Sequence, residues 1–132
     1  MFYIKMNIKS SQTLVQEALK TVKTISPSEA LEKVQKKQCN LIDIRDAIEI
    51  QNIGGIENSF HIPRGLLEFC IHPHSAYVEK EKLDLNKEIV LFCAAGGRSA
   101  LAAKTLKDMG FENVSHVEGG FNLMQNSGFK VK

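Results

Sequence analysis

The chain has no tryptophan and only three cysteines, Cys39, Cys70 and Cys93. An odd number without paired spacing argues against a disulfide framework and for a reducing compartment, which leaves at least one thiol free for chemistry. A surplus of one charge is also lacking: the formal net charge is +2, with acids and bases interspersed. That excludes the basic stripe that grips nucleic acid by releasing counterions. No segment is long and apolar enough to span a bilayer. The N-terminal stretch MFYIKMNIKSSQTLVQ breaks its apolar positions with lysines and polar residues, unlike a secretory signal. Internal repeats, low-complexity tracts and Pro/Gly/Ser linkers are missing too. The expectation is a cytoplasmic protein with neither a nucleic acid nor a membrane as partner.

What is present fits one compact domain: 132 residues, 43% of them hydrophobic, suffice for one ordinary core. Residues 1–23 read as an N-terminal extension, in which Leu14, Ala18 and Val22 at helical spacing predict a helix from 11 to about 22. The domain proper would run from 24 to 132. Ser26-Pro27-Ser28-Glu29 reads as a capping box opening a helix through Val34. Leu41-Ile42-Asp43-Ile44 and Ile89-Val90-Leu91-Phe92 are short and apolar, as buried parallel strands are. Residues 99–109 are rich in helix formers, and Gly110 stands where a left-handed cap is wanted. A strand at 114–117 and a short helix at 121–126 follow. Residues 70–87 show no clear period and read as a long connection with some local helix. Strand, loop, helix and strand make a right-handed βαβ unit, which places the chain in the α/β class.

Cys93 ends the second of those strands, where ligands of open α/β sheets bind, and a helix begins shortly after it. A helix N-terminus offers free amides and the positive end of the macrodipole, which favour a thiolate, the nucleophilic form. Ala94, Ala95, Gly96 and Gly97, between Cys93 and Arg98, are small, so the backbone can curl several amides inward as an anion nest. Such a nest suits a persulfide on the cysteine or the oxyanion end of a sulfur donor. Cysteine is often merely buried and inert, but the strand-end position before Gly-Gly-Arg-Ser favours chemistry here. Arg98 either binds substrate directly or pairs with an acid such as Asp43, and the two are compatible.

The segment CAAGGRSALAAKTLKDMGFENVSHVEGG, from Cys93 to Gly120, resembles the active-site loop, helix and strand of single-domain rhodanese-like sulfurtransferases. Leu41-Ile42-Asp43-Ile44-Arg45-Asp46 with Glu49, and His61-Ile62-Pro63-Arg64-Gly65-Leu66-Leu67-Glu68-Phe69, are similar to the first signature region of that family. The resemblance implies a central five-stranded parallel sheet flanked by helices on both faces, with the cysteine loop at its centre. It also implies that Cys93 takes sulfane sulfur from a small anionic donor such as thiosulfate. The resulting persulfide would pass that sulfur to a thiol, cyanide or protein acceptor. No metal or organic cofactor is implied. The amides from Ala94 to Ser99 would stabilise the charge, Asp43 and Arg45 would be structural, and Arg64 would line the mouth. The chain departs from the pattern at Gly97, where a bulky aromatic is common, at Met124, where a tryptophan is common, and in the turn Gly55-Ile56-Glu57-Asn58-Ser59. A wider pocket mouth is expected.

Three other readings compete with this one. Cysteine phosphatases and arsenate reductases also set a cysteine and an arginine around an anion loop. The related phosphatases place five residues between the two, whereas Cys93 and Arg98 are separated by four. They also need an acid to protonate the leaving oxygen, and the sequence nominates none. A regulatory module or persulfide relay without turnover is the second rival, and the intact cysteine fits a relay. The third, a metal site at Cys70, His72 and His74, has no evident fourth ligand and reads as an exposed loop. His61 and His116, in expected strands, read as structural histidines.

Overall fold

The computed structural model describes residues 6–132. Residues 1–5 of the expected extension lie outside the described residues. The elements in chain order are α1 (Ser11–Leu19), β1 (Lys23–Ile25), α2 (Pro27–Gln35), β2 (Cys39–Asp43), α3 (Ala47–Ile53), β3 (Phe60–His61), α4 (Leu67–Cys70), α5 (Ala76–Glu81), β4 (Glu88–Phe92), α6 (Gly97–Asp108), β5 (Val114–Val117) and α7 (Gly120–Met124). The strands form one five-stranded sheet in the order β1-β5-β4-β2-β3, and every pairing is parallel.

β4 is the central strand, and all five of its residues are buried. Side chains of a strand point alternately to its two faces. Ile89, Leu91 and the following Cys93 therefore join one core, with Ile42, Ile44, Ala102 and Leu106. Val90 and Phe92 join the other, with Leu41, Ala30, Phe121 and Met124. α6 covers the first face, with α1 packed on it, and α2 and α7 cover the second. Cys93 thus sits at the carboxyl end of the strand that is shielded on all sides.

Several boundaries differ from the sequence expectation. α6 begins at Gly97 rather than Ser99, because Gly96 takes a left-handed conformation (φ 110°, ψ −13°) that turns the chain straight into the helix. α1 ends at Leu19, so Val22 is buried beyond the helix. Its buried face centres on Ala18, while Leu14 stays 42% exposed; a small residue lets α1 lie close on α6. Ser26 caps α2 by accepting from the Glu29 amide. The edge strand β1 carries no apolar run that local pattern could announce: Lys23 and Thr24 are exposed and only Ile25 is buried. The connection at 70–87 holds α5, capped by Ser75.

Candidate active site

Cys93 lies one residue past β4, and its sulfur takes over the work of a helix cap. The N-cap residue, Gly96, has no side chain to accept the free amides of the first turn of α6. The Cys93 Sγ accepts from the Gly96 amide at 3.1 Å and from the Ser99 amide at 3.3 Å. Of the expected cradle of six residues, these two aim their amides at the sulfur. The amides of Gly97 and Arg98 belong to the first helical turn and have no intrahelical acceptor. Ala95 is exposed, Ala94, Gly96, Gly97 and Arg98 are half-buried and Ser99 is buried. Cys93 itself is only 1% exposed, so the sulfur sits behind the loop.

The carbonyls of the loop are pinned from the other side. The Phe121 amide donates to Cys93 O at 2.8 Å and the Asn122 amide to Ala94 O at 3.0 Å, both from the start of α7. That approach requires glycine at 120: a Cβ there would lie 2.3 Å from Cys93 O, and φ is +53°. The Arg45 guanidinium stacks 4.0 Å from the centre of the Phe121 ring. It is held in place by the buried Asp43 carboxylate at 2.8 Å and by Gly54 O at 2.9 Å. Asp43 and Arg45 are thus a buried ion pair that steadies α7, and through α7 the loop.

Arg98 does pair with an acid, but not with Asp43, which is committed to Arg45. Its guanidinium makes a two-pronged bridge to Glu49 on α3, at 2.7 and 2.9 Å. That bond holds the Glu49 carboxyl down to about 2 and raises Arg98 above its ordinary value. Glu49 also accepts from the Asp46 amide at 3.1 Å, which caps α3. Arg64, expected at the mouth, is turned elsewhere. It donates to Glu68 at 2.7 Å and to Thr105 Oγ1 at 3.2 Å. Thr105 is six residues beyond Ser99, about 9 Å further along α6.

His116 reads as a structural histidine in the sequence, yet its ring reaches the loop. Nδ1 lies 2.9 Å from Ser99 Oγ and Nε2 lies 2.8 Å from Thr24 Oγ1. Ser99 Oγ in turn accepts from the Cys93 thiol at 3.5 Å. Burial pushes the His116 ring below its usual value, toward the neutral form. The sequence signal is faint: a histidine three residues before the Gly119-Gly120 turn. His61 is held by Arg45 O at 2.7 Å. Cys39 is driven up to about 11, chiefly by burial, and so remains a thiol. Among the described residues no cluster of three histidines, cysteines or acids could hold a metal. A cavity of about 220 Å³ lies beside the loop, walled by Val15 and Leu19 of α1, Thr24, His116 and Ala95 to Gly97.

A sulfur that accepts from helix amides at the carboxyl edge of a parallel sheet defines the class: α/β proteins that carry a cysteine in a short loop between the central strand and the helix after it. Within that class the chain belongs to the Rhodanese-like domain family, whose sequence profile matches residues 26–127. It is 34% identical over 97 residues to a protein named thiosulfate sulfurtransferase GlpE from Pseudomonas savastanoi pv. phaseolicola, covering 74% of this chain and 82% of that protein. A second protein of that name, from Glaesserella parasuis, is 29% identical over 76% of this chain and 84% of its own length. Among solved structures, the polysulfide-sulfur transferase homodimer of Wolinella succinogenes is 31% identical with a TM-score of 0.71, covering 92% of this chain and 85% of that one. A Rhodopseudomonas palustris protein of unknown function, described as a possible tyrosine phosphatase, is 35% identical with a TM-score of 0.81. That match covers 99% of this chain and all of the other.

Proposed function

We propose that this chain is a sulfurtransferase that moves sulfane sulfur from a small anionic donor, such as thiosulfate, to a thiophilic acceptor through a persulfide on Cys93. The observation that carries the reading is the convergence of the Gly96 and Ser99 amides on one sulfur, in a family whose similar members are named for sulfur transfer. The Cys93 thiolate attacks the outer sulfur of thiosulfate, a sulfur–sulfur bond forms, and sulfite leaves with the electron pair of the bond that breaks. A nucleophile such as cyanide, a small thiol or a protein thiol then takes the outer sulfur and returns the thiolate. Sulfane sulfur is handed on in both steps with no net gain or loss of electrons, so neither step calls for an outside oxidant or reductant. The amides oppose the negative charge of thiolate and persulfide alike, which is preorganised electrostatic stabilisation. With Cys93 at 1% exposure, the loop must open to admit a donor, and the small residues from Ala94 to Gly97 keep that movement easy. Recognition of the donor is by main chain, and Arg98, neutralised by Glu49, contributes loop shape more than free charge. Action in the cytoplasm goes with the reduced cysteines.

The resemblance to a possible tyrosine phosphatase makes phosphoryl transfer the second reading. Four residues between Cys93 and Arg98 give a tighter ring than a phosphoryl group wants. Glu49, the acid nearest Arg98, is held ionised by that arginine and is unfit to protonate a leaving oxygen. The deciding experiment weighs the intact protein after incubation with thiosulfate, and in parallel follows release of nitrophenol from p-nitrophenyl phosphate. A gain of about one sulfur mass, removed by cyanide and absent in a folded Cys93→Ser variant, is expected. No mass gain together with Cys93-dependent phosphate release would replace the reading by the phosphatase. Loading only from a protein persulfide would make the chain a relay.

A further inference from the structure

Beyond the sulfur cradle, an unbroken line of polar atoms runs from Cys93 into the edge of the sheet. We propose that His116, acting through the Ser99 hydroxyl, accepts the proton of the Cys93 thiol and so governs how readily the reactive sulfur ionises. The inference takes from the proposed function only that Cys93 is the nucleophile.

The argument starts from the hydrogens available. A hydroxyl has one proton to donate. Ser99 Oγ has two acceptors in reach, His116 Nδ1 at 2.9 Å and Gly96 O at 3.2 Å. The shorter contact is to the ring. With the Ser99 hydroxyl donating to Nδ1, the ring proton sits on Nε2, where Thr24 Oγ1 at 2.8 Å is placed to accept it; the proposal takes this tautomer, which leaves Nδ1 bare. Ser99 Oγ then turns a lone pair toward Cys93 and accepts the thiol proton, the direction in which that contact runs at 3.5 Å. In this resting arrangement three neutral groups are linked head to tail, from thiol to hydroxyl to imidazole.

Ionisation reverses the line. The S–H bond breaks as its proton passes to Ser99 Oγ, the hydroxyl's own proton passes to Nδ1, and no atom is gained or lost. The thiolate now has three donors: the two amides and the Ser99 hydroxyl. The imidazolium donates from Nδ1 to Ser99 and from Nε2 to Thr24. Paired charges a few ångströms apart in a buried site stabilise one another strongly, so thiolate and imidazolium appear together. The surroundings leave His116 free for this role. Thr24 faces it from β1 and Ser99 from α6. α1 brings the apolar Val15 and Leu19 to the shared cavity. The charged or titratable groups nearby are Cys93 at the end of β4, Arg98 on α6, already bound to Glu49, and Glu118 on the cavity wall. Burial keeps the ring neutral until the thiol proton arrives.

The test follows alkylation of Cys93 by iodoacetamide across pH in the full chain, read on the Cys93 peptide by mass. The comparison is with His116→Gln, which can bond both hydroxyls but cannot take up a proton. Near pH 6.5 the native chain should react about tenfold faster than His116→Gln, the ratio given by one unit of proton affinity. The two should converge in strong alkali, where no internal base is needed. Ser99→Ala should show the same loss with His116 intact, and Ser99→Thr should restore the native profile. Superimposable profiles for the native chain and His116→Gln would overturn the proposal. So would a loss of equal size at every pH, since that marks a merely structural role. If His116→Gln does not fold, Ser99→Ala against Ser99→Thr decides on the same terms. Thiosulfate loading fails independently: a native chain that gains no sulfur but keeps the pH difference refutes the donor, not the proton path.

Discussion

Replacing Gly120 by alanine tests whether α7 sets the shape of the sulfur loop. The new Cβ would lie 2.3 Å from Cys93 O and 2.9 Å from Ala94 C and O, all backbone atoms that no side-chain rotation can clear. Real Cβ contacts do not fall below 3.0 Å, so the loop or α7 must shift by about 0.7 Å at least. A non-glycine residue at positive φ costs about 1–2 kcal/mol, and forcing packed backbone apart adds about 1–3 kcal/mol. A total near 3 kcal/mol corresponds to a fall in Tm of about 10 °C for a chain of this length. Gly110→Ala is the control, since φ is +109° there but nothing lies within 4 Å of the added atom. It should lose only the backbone term, about 4 °C. The shift also strains the bonds from Phe121 and Asn122 to the loop carbonyls, so sulfur loading at 25 °C should slow in Gly120→Ala and not in Gly110→Ala. Equal melting of the two variants, or native loading by a measurably destabilised Gly120→Ala, would refute the claim that α7 shapes the cradle.

Other perturbations probe the supports around it. Glu49→Gln should cost about 1 kcal/mol at pH 7 in urea unfolding, the worth of a two-pronged but partly exposed pair. Because Arg98 holds Glu49 down to about 2 from an ordinary 4.5, that stabilisation is complete above about pH 4.5 and is lost as pH falls toward 2; the two proteins should unfold alike near pH 2. Arg45→Met leaves the Asp43 carboxylate, 1% exposed, without its partner and should cost about 3–5 kcal/mol by the same assay. Cys39→Ser and Cys70→Ser should leave sulfur loading at the native level, Cys39 because burial keeps it a thiol; a loss matching that of Cys93→Ser would reveal a second participating sulfur.

How legible the site was in the sequence depended on chain distance. Cys93, its glycine loop and the helix behind it are contiguous, so local rules of strand ends, helix caps and small residues sufficed. β4, β5 and α6 carried apolar or helix-forming runs and were placed to within two residues at each end. The supports were hidden because their partners are remote. Arg98 and Glu49 are 49 residues apart, and the sequence offered Asp43 as an equally good acid. Thr24 and His116 are 92 apart, and no local pattern on Lys23-Thr24-Ile25 announces a strand. Only resemblance places Arg64 at the mouth, and its near neighbour Glu68, four residues on, holds it instead.

The pairing of β1 with β5 has a consequence for synthesis. Lys23 registers with Ser115, and α1 has its docking surface on α6. Both elements leave the ribosome early and must wait for the last third of the chain before anything can cover them. Loop closure over such a span is slow, and an unpartnered strand edge invites association meanwhile. Products cut short before residue 97 would expose both, so translation that stalls in the loop region should yield aggregates rather than a smaller working domain.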